Sequence, residues 1–193
     1  MILFFDTETT GKADFRARAD AEHQPRLVQL AAILTDFGGK EISMMSCIVR
    51  PIGFEIPAEA AAVHGITTEI AVQRGVPVAH ALDLFSSLGK LAETFVCHNI
   101  EFDHLIMVGE CMRMVVDYPN RRRFCTMQQM TDVCQIPGSY GYKWPTLQEA
   151  HQHCFGKDFD GAHDALADVR ACKDIYFWLQ RSRQPATEVK GEH

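Results

Sequence analysis

The chain has 193 residues, 47% hydrophobic and 23% charged, an ordinary globular composition with enough length to bury a sizeable core. Its formal net charge of −6 excludes a binder that holds nucleic acid by bulk positive charge, though not an enzyme whose acidic residues hold metal ions. No apolar run reaches the ~18 residues of a membrane span, the N-terminus lacks a basic region and cleavage site, and seven cysteines lie scattered without a C-x-x-C pair, which together predict reduced thiols in a cytoplasmic chain.

In chain order, "ILFFD" (2–6) predicts a fully buried strand. "LVQLAAILTD" (27–36) and "EISMMSCIVRP" (41–51) predict two more, joined as a hairpin at Gly38 and Gly39. "PAEAAAVHGIT" and "TEIAVQRG" predict short helices broken at Gly65 and Gly75, and residues 78–93 a longer one with Leu82, Phe85 and Leu88 in helical spacing. A short strand at "TFVCHN" and a helix over 101–116 follow. "FCTM" (124–127) predicts a last strand, and "GSYGYKWP" (138–145) a loop. "TLQEAHQHCF" opens with Thr146 three residues before Glu149, a capping-box spacing. A final helix over 164–181 carries Leu166, Val169, Cys172, Tyr176 and Leu179 along one stripe, ahead of a polar tail. The order predicts a single α/β domain over 1–182: an antiparallel meander extended by parallel crossovers, then a disordered tail over 183–193.

Acidic residues stand at the edges of three core elements. Asp6 and Glu8 share one strand face at the end where open α/β sheets bind ligands. Two bare carboxylates that close repel each other, and a divalent cation relieves the repulsion, with Mg²⁺ and Mn²⁺ suited to oxygen ligands. The other reading is a solvated strand end. Asp103, in "HNIEFDH", shares a helical face with Ile106 and Met107, so it either finds a partner, coordinates, or serves as a helix-start acid. Asp168, in "HDALADV", sits beside Val169, and His163 precedes the helix; the plainer reading is a helix cap with a surface aspartate. The "HQHC" run (151–154) falls on an amphipathic helix without metal-ligand spacing.

Taken together, "FDTETTG", "HNIEFD" and "HDALAD" resemble the three motifs of the DEDDh group of 3′-to-5′ exonucleases, which includes the proofreading subunit of bacterial replicative DNA polymerase and ribonuclease T. The resemblance runs from residue 1 to about 180, and "VHGIT" (63–67) matches a further recurrent element. It implies a ribonuclease-H-like, mixed five-stranded sheet flanked by helices. It also implies two Mg²⁺ or Mn²⁺ ions held by Asp6, Glu8, Asp103 and Asp168, with His163 as the general base. An imidazole, with an ordinary pKa of about 6.5, suits that task near neutral pH.

The implied reaction is phosphodiester hydrolysis at the 3′ end of DNA or RNA, releasing nucleoside 5′-monophosphates. Thr7, Thr9, His64, Gly65 and Ile66 are then expected around the terminal nucleotide. Phe102 is expected to stack on a base or pack in the core, and Asn99 to bond the nucleic-acid backbone or cap a helix. Two other classes are weighed: a non-catalytic nucleic-acid-binding or polymerase-accessory module, which degraded relatives reach by losing a ligand, and a phosphodiesterase for small nucleotides. The sequence does not distinguish DNA from RNA, single strand from duplex end, or a polymerase partner from a homodimer. Nor does it give the role of residues 12–26, which are expected beside the site.

Overall fold

The computed structural model describes residues 1–183, so all of the expected tail except Arg183 lies outside the described residues. Strands β1 (Ile2–Thr9), β2 (Leu27–Thr35) and β3 (Glu41–Ile48) form the expected antiparallel meander. Helices α1 (Ala58–His64), α2 (Thr68–Arg74) and α3 (Val78–Leu91) lead to β4 (Thr94–Cys97), and α4 (Ile100–Met114) leads to β5 (Arg122–Cys125). β4 pairs parallel to β1, and β5 parallel to β4, giving the order β3-β2-β1-β4-β5. Helix α5 (Thr126–Cys134), a small hairpin of β6 (Pro137–Gly138) and β7 (Gly141–Tyr142), α6 (Leu147–Phe155) and α7 (Ala165–Ser182) complete the described chain.

The sheet is covered on both faces, which is why β2 is buried along its whole length and reads as a continuous apolar run. Alternation along β1 sends Leu3 and Phe5 to the face that also holds Leu82, Phe85 and Ile106 from α3 and α4. The Phe5 ring meets Phe85 edge-on at 5.0 Å and Phe95 at 5.5 Å. Ile2 and Phe4 face α7, where Val169 and Cys172 are buried against them. This same alternation, continued three residues further, divides the acidic site between the two faces.

Several expectations needed correction. β1 does not stop at Asp6: it stays paired with β2 through Thr9, with a register shift between Glu8 and Thr9. Glu8 therefore lies within the strand, on the face it was expected to share with Asp6. The last strand begins at Arg122, because an edge strand leaves arginine side chains in solvent, and Thr126 and Met127 already belong to α5. That helix has no side-chain N-cap, and only Thr126, Met127 and Met130 are buried along it, so its sequence carries little periodic signal. The stripe on α7 is also shifted, with Leu166 and Tyr176 only half-buried while Ala171 and Ile175 are buried. The capping box of Thr146 and Glu149 is present, and Arg121 closes the carbonyls of Gly89 and Lys90 at the end of α3.

Residues 12–26 are fixed against α4. Glu110, 1% exposed, accepts from Arg26 Nε at 2.7 Å, from Arg113 at 3.2 Å and from the Leu27 amide at 3.2 Å. A buried carboxylate this well donated to is satisfied rather than strained. Gly109 lets the loop come close: a Cβ there would lie 2.3 Å from the Ala19 carbonyl.

Candidate active site

The carboxyl end of β1 places three consecutive side chains in alternation. Asp6 and Glu8 point to the α7 face, and Thr7 points to the α4 face. On the α4 face, Asp103 is 2% exposed. Its Oδ1 accepts from both the Thr7 amide at 2.9 Å and the Thr7 hydroxyl at 2.8 Å, so a neighbour in β1 fixes its orientation. On the α7 face, Asp168 is 9% exposed. Its Oδ2 accepts the His163 amide at 3.2 Å, while its Oδ1 is buried with no partner. His163 holds a left-handed backbone, φ 69°, uncommon for a residue other than glycine. Potential ligand atoms of Glu8, His163 and Asp168 lie within 4.8 Å of one another. Asp6 stands among Asp103, Asp168 and Glu8, feeling the charge of each.

Crowding of this kind changes the acids themselves. Burial first, and then the charges of Asp103, Asp168, Glu8 and Asp164, push the Asp6 carboxyl well above the usual range. Burial and neighbouring carboxylates push Glu8 up to about 8. Asp103 rises to about 7 through burial, against the opposing pull of the Thr7 hydrogen bonds. Burial raises Asp168 to about 6, opposed by the His163 amide.

These shifts fix a pH dependence for the metal-free protein. Above the ordinary carboxylate range near pH 4, the folded chain holds protons that the unfolded chain has released. The stability these groups contribute is therefore full below that range and is lost as pH rises through about 6, 7 and 8. In chelator, Tm should fall by on the order of 5 °C between about pH 5.5 and about pH 8.5, and Mg²⁺ or Mn²⁺ should restore it at the upper end. A Tm that climbs across that window in chelator would contradict the crowding.

Beside the carboxylates lies a cleft of about 520 Å³, lined by residues 7–12 and by Glu59, Val63, His64 and Phe102 among others. Thr7, Thr9, His64 and Phe102 are thus at its wall, as is Lys12 from the loop over 12–26. His64 Nδ1 accepts the Ile66 amide at 3.1 Å, which leaves the proton on Nε2, and that atom is buried without a partner. Gly65 ends α1 in a left-handed conformation, and the Ile66 side chain is buried with Val28, Ile56 and Ala71 rather than lining the cleft. Asn99 occupies the N-cap position of α4 without a side-chain capping bond and is not at the cleft wall. A roomier cavity of about 800 Å³ between α1 and α2 has none of the four clustered carboxylates in its lining. His151 of the "HQHC" run is buried and hydrogen-bonded to the Lys157 carbonyl at 2.8 Å.

Residues 3–176 match the RNase T family model, described as exonuclease. The chain belongs to this exonuclease family. An uncharacterized exonuclease of Escherichia phage 186 is 33% identical over 180 residues, spanning 87% of this chain and 82% of the phage protein. Among solved structures, E. coli exonuclease I bound to single-stranded DNA is similar in fold, with a TM-score of 0.74 and 22% identity over 94% of this chain. Exonuclease I from Methylocaldum szegediense gives a TM-score of 0.74 at 24% identity over 96% of this chain. The chain spans about two fifths of the length of either one, 40% and 41%. The mixed sheet is the ribonuclease-H-like sheet of exonuclease I, and no helix among the described residues is long and apolar enough to cross a membrane.

This exonuclease fold uses supporting residues that sequence reading passed over. Gln29, opposite Glu8 on β2 and buried, accepts the Ala165 amide at 3.3 Å and donates to Asp164 at 3.3 Å, so β2 holds the start of α7. The signal was a lone amide inside an apolar strand, which burial obliges to find partners. His98, at the end of β4, is bonded to the Thr126 hydroxyl and the Pro145 carbonyl, both at 3.0 Å. Burial lowers its pKa to about 4, so it is a neutral tie between elements.

Proposed function

We propose that the chain is a divalent-metal-dependent, DEDDh-type 3′-to-5′ exonuclease that releases nucleoside 5′-monophosphates. The observation that carries this reading is the convergence of Asp6, Glu8, Asp103 and Asp168 with His163 at one end of the sheet. The donor set fits Mg²⁺ or Mn²⁺: all four acids are oxygen donors, each raised by burial, and Asp168 has a buried oxygen without a partner. Asp6, Glu8 and Asp168 would hold one ion, and Asp6 with Asp103 a second. Such ions, when bound, activate water and neutralise charge on a leaving oxygen.

The chain's own groups do the rest. His163 accepts the proton of the attacking water at a ring nitrogen, next to Glu8 and Asp168. Thr7 keeps Asp103 from rotating, and Gln29 fixes the helix start from which His163 and Asp168 project. The cleft receives the last nucleotide, with Phe102 and the His64 ring at its wall for the base or sugar. Single-stranded DNA bound to exonuclease I, a protein of similar fold, supports a single strand as substrate.

A pocket that takes a terminus excludes a continuing strand. Digestion should therefore begin only at a free 3′-hydroxyl, a 3′-phosphate should slow it by adding charge beside Glu8, and a circular single strand should survive. Cleavage of the circle as fast as the linear strand would mean an open groove, and the exonuclease mechanism would fail.

A further inference from the structure

Three aromatic side chains stand in solvent within five residues: Tyr140 fully, Trp144 at 63% and Tyr142 at 49%. Bare rings of this size are costly to hydrate, and clusters of them mark interaction surfaces. The segment carrying them is not loose. The β6–β7 pairing closes it, the Lys143 amide donates to Ile136 at 2.9 Å, and Lys143 Nζ meets Glu149 on α6 at 2.6 Å. Its return limb is tied through the Pro145 carbonyl to His98. His98 directly follows β4, so this tie lies at the carboxyl end of the sheet, five residues before Asp103. In an extended limb, Tyr142 and Trp144 fall on one side and Lys143 on the other. The pairing of Lys143 with Glu149 occupies that other side, which leaves the two rings presented together.

We infer that the segment 138–145 is a stacking platform for the single-stranded nucleic acid that leads into the cleft. This rests on the nuclease function proposed above. The choice of occupant follows from charge and spacing. A chain of net charge −6 lacks an overall basic charge to hold a phosphate backbone, so its grip on an upstream strand gains from uncharged contacts. Rings two residues apart on an extended limb are separated by roughly 6.6 Å. That is about twice the 3.4 Å rise per nucleotide of one strand in a duplex, and so suits a strand pulled out of helical stacking. Aromatic faces accept any base, as an exonuclease moving along a strand requires.

The test uses the full chain and oligothymidylates from a dinucleotide to a dodecamer. For wild type, KM should fall as length increases beyond the nucleotides that fill the cleft. The Tyr142→Ala/Trp144→Ala double variant should lose that gain, raising KM for the dodecamer by ~10-fold or more while leaving dinucleotide turnover unchanged. The Tyr142→Phe/Trp144→Phe variant should keep the gain, because it keeps the rings. In a Trp178→Phe background Trp144 is the remaining tryptophan of two, and its fluorescence should be quenched by a phosphorothioate dodecamer but not by a blunt duplex. Unchanged dodecamer KM in the double alanine variant, or equal quenching by duplex, would overturn the platform. Wild type releasing no mononucleotide at any length would instead overturn the nuclease reading beneath it.

Discussion

Asp6→Asn should lower nucleotide release by ~10³-fold or more while leaving the fold intact. Asn has the shape of Asp, and the backbone of residue 6 keeps its place opposite Ala31 in the β1–β2 ladder. What changes is charge at the point where three other carboxylates meet. One negative ligand disappears, and with it the donor that both ions would share. The same change relieves repulsion in the metal-free chain, so Asp6→Asn should melt higher than wild type in chelator near pH 8. Lost activity combined with a gain in stability is the mark of a residue kept for function. Parallel turnover assays and melts would read both; a variant with substantial activity, or one destabilised in chelator, contradicts the role assigned to Asp6.

His163→Ala should cut turnover by ~10²–10⁴-fold, the usual range for losing a general base. The geometry permits a second role, because the ring nitrogen lies within 4.8 Å of the Glu8 and Asp168 oxygens and could itself be a ligand. The two roles separate by calorimetry. A general base leaves Mn²⁺ affinity nearly unchanged when removed, whereas a ligand takes the affinity with it. His163 is also exposed and holds a left-handed backbone, so loss of its side chain opens no core cavity and stability should change little. A collapse of Mn²⁺ binding in His163→Ala would make His163 a ligand and require a different proton acceptor.

The sheet and the acidic cluster were legible in the sequence for different reasons. β1 and β2 are buried on both faces, and only continuous apolar runs satisfy that position. Asp6 and Glu8 stood out because charge interrupts such a run, and His163 with Asp168 because the spacing at the start of the last helix was distinctive. What the sequence concealed was set by tertiary partners. Besides lining the cleft, Thr7 holds Asp103 through its amide and hydroxyl, a role that only the crossing of α4 over β1 reveals. Ile66 lies in a recurrent substrate-side element, but its side chain fills a small core under α1 and α2. Helix α5 lacks both a side-chain cap and a broad apolar face, and Gln29 acquires its role only when β2 meets the start of α7.

The central claim is that the clustered carboxylates act through divalent ions at the end of a nucleic-acid strand. It is tested most directly by following a 5′-labelled single strand on a denaturing gel, in Mg²⁺ or Mn²⁺ and in excess chelator. The labelled strand should shorten one nucleotide at a time in either metal and stay at full length in chelator, with shortening resuming when metal is restored. Shortening at an undiminished rate in chelator would contradict the account.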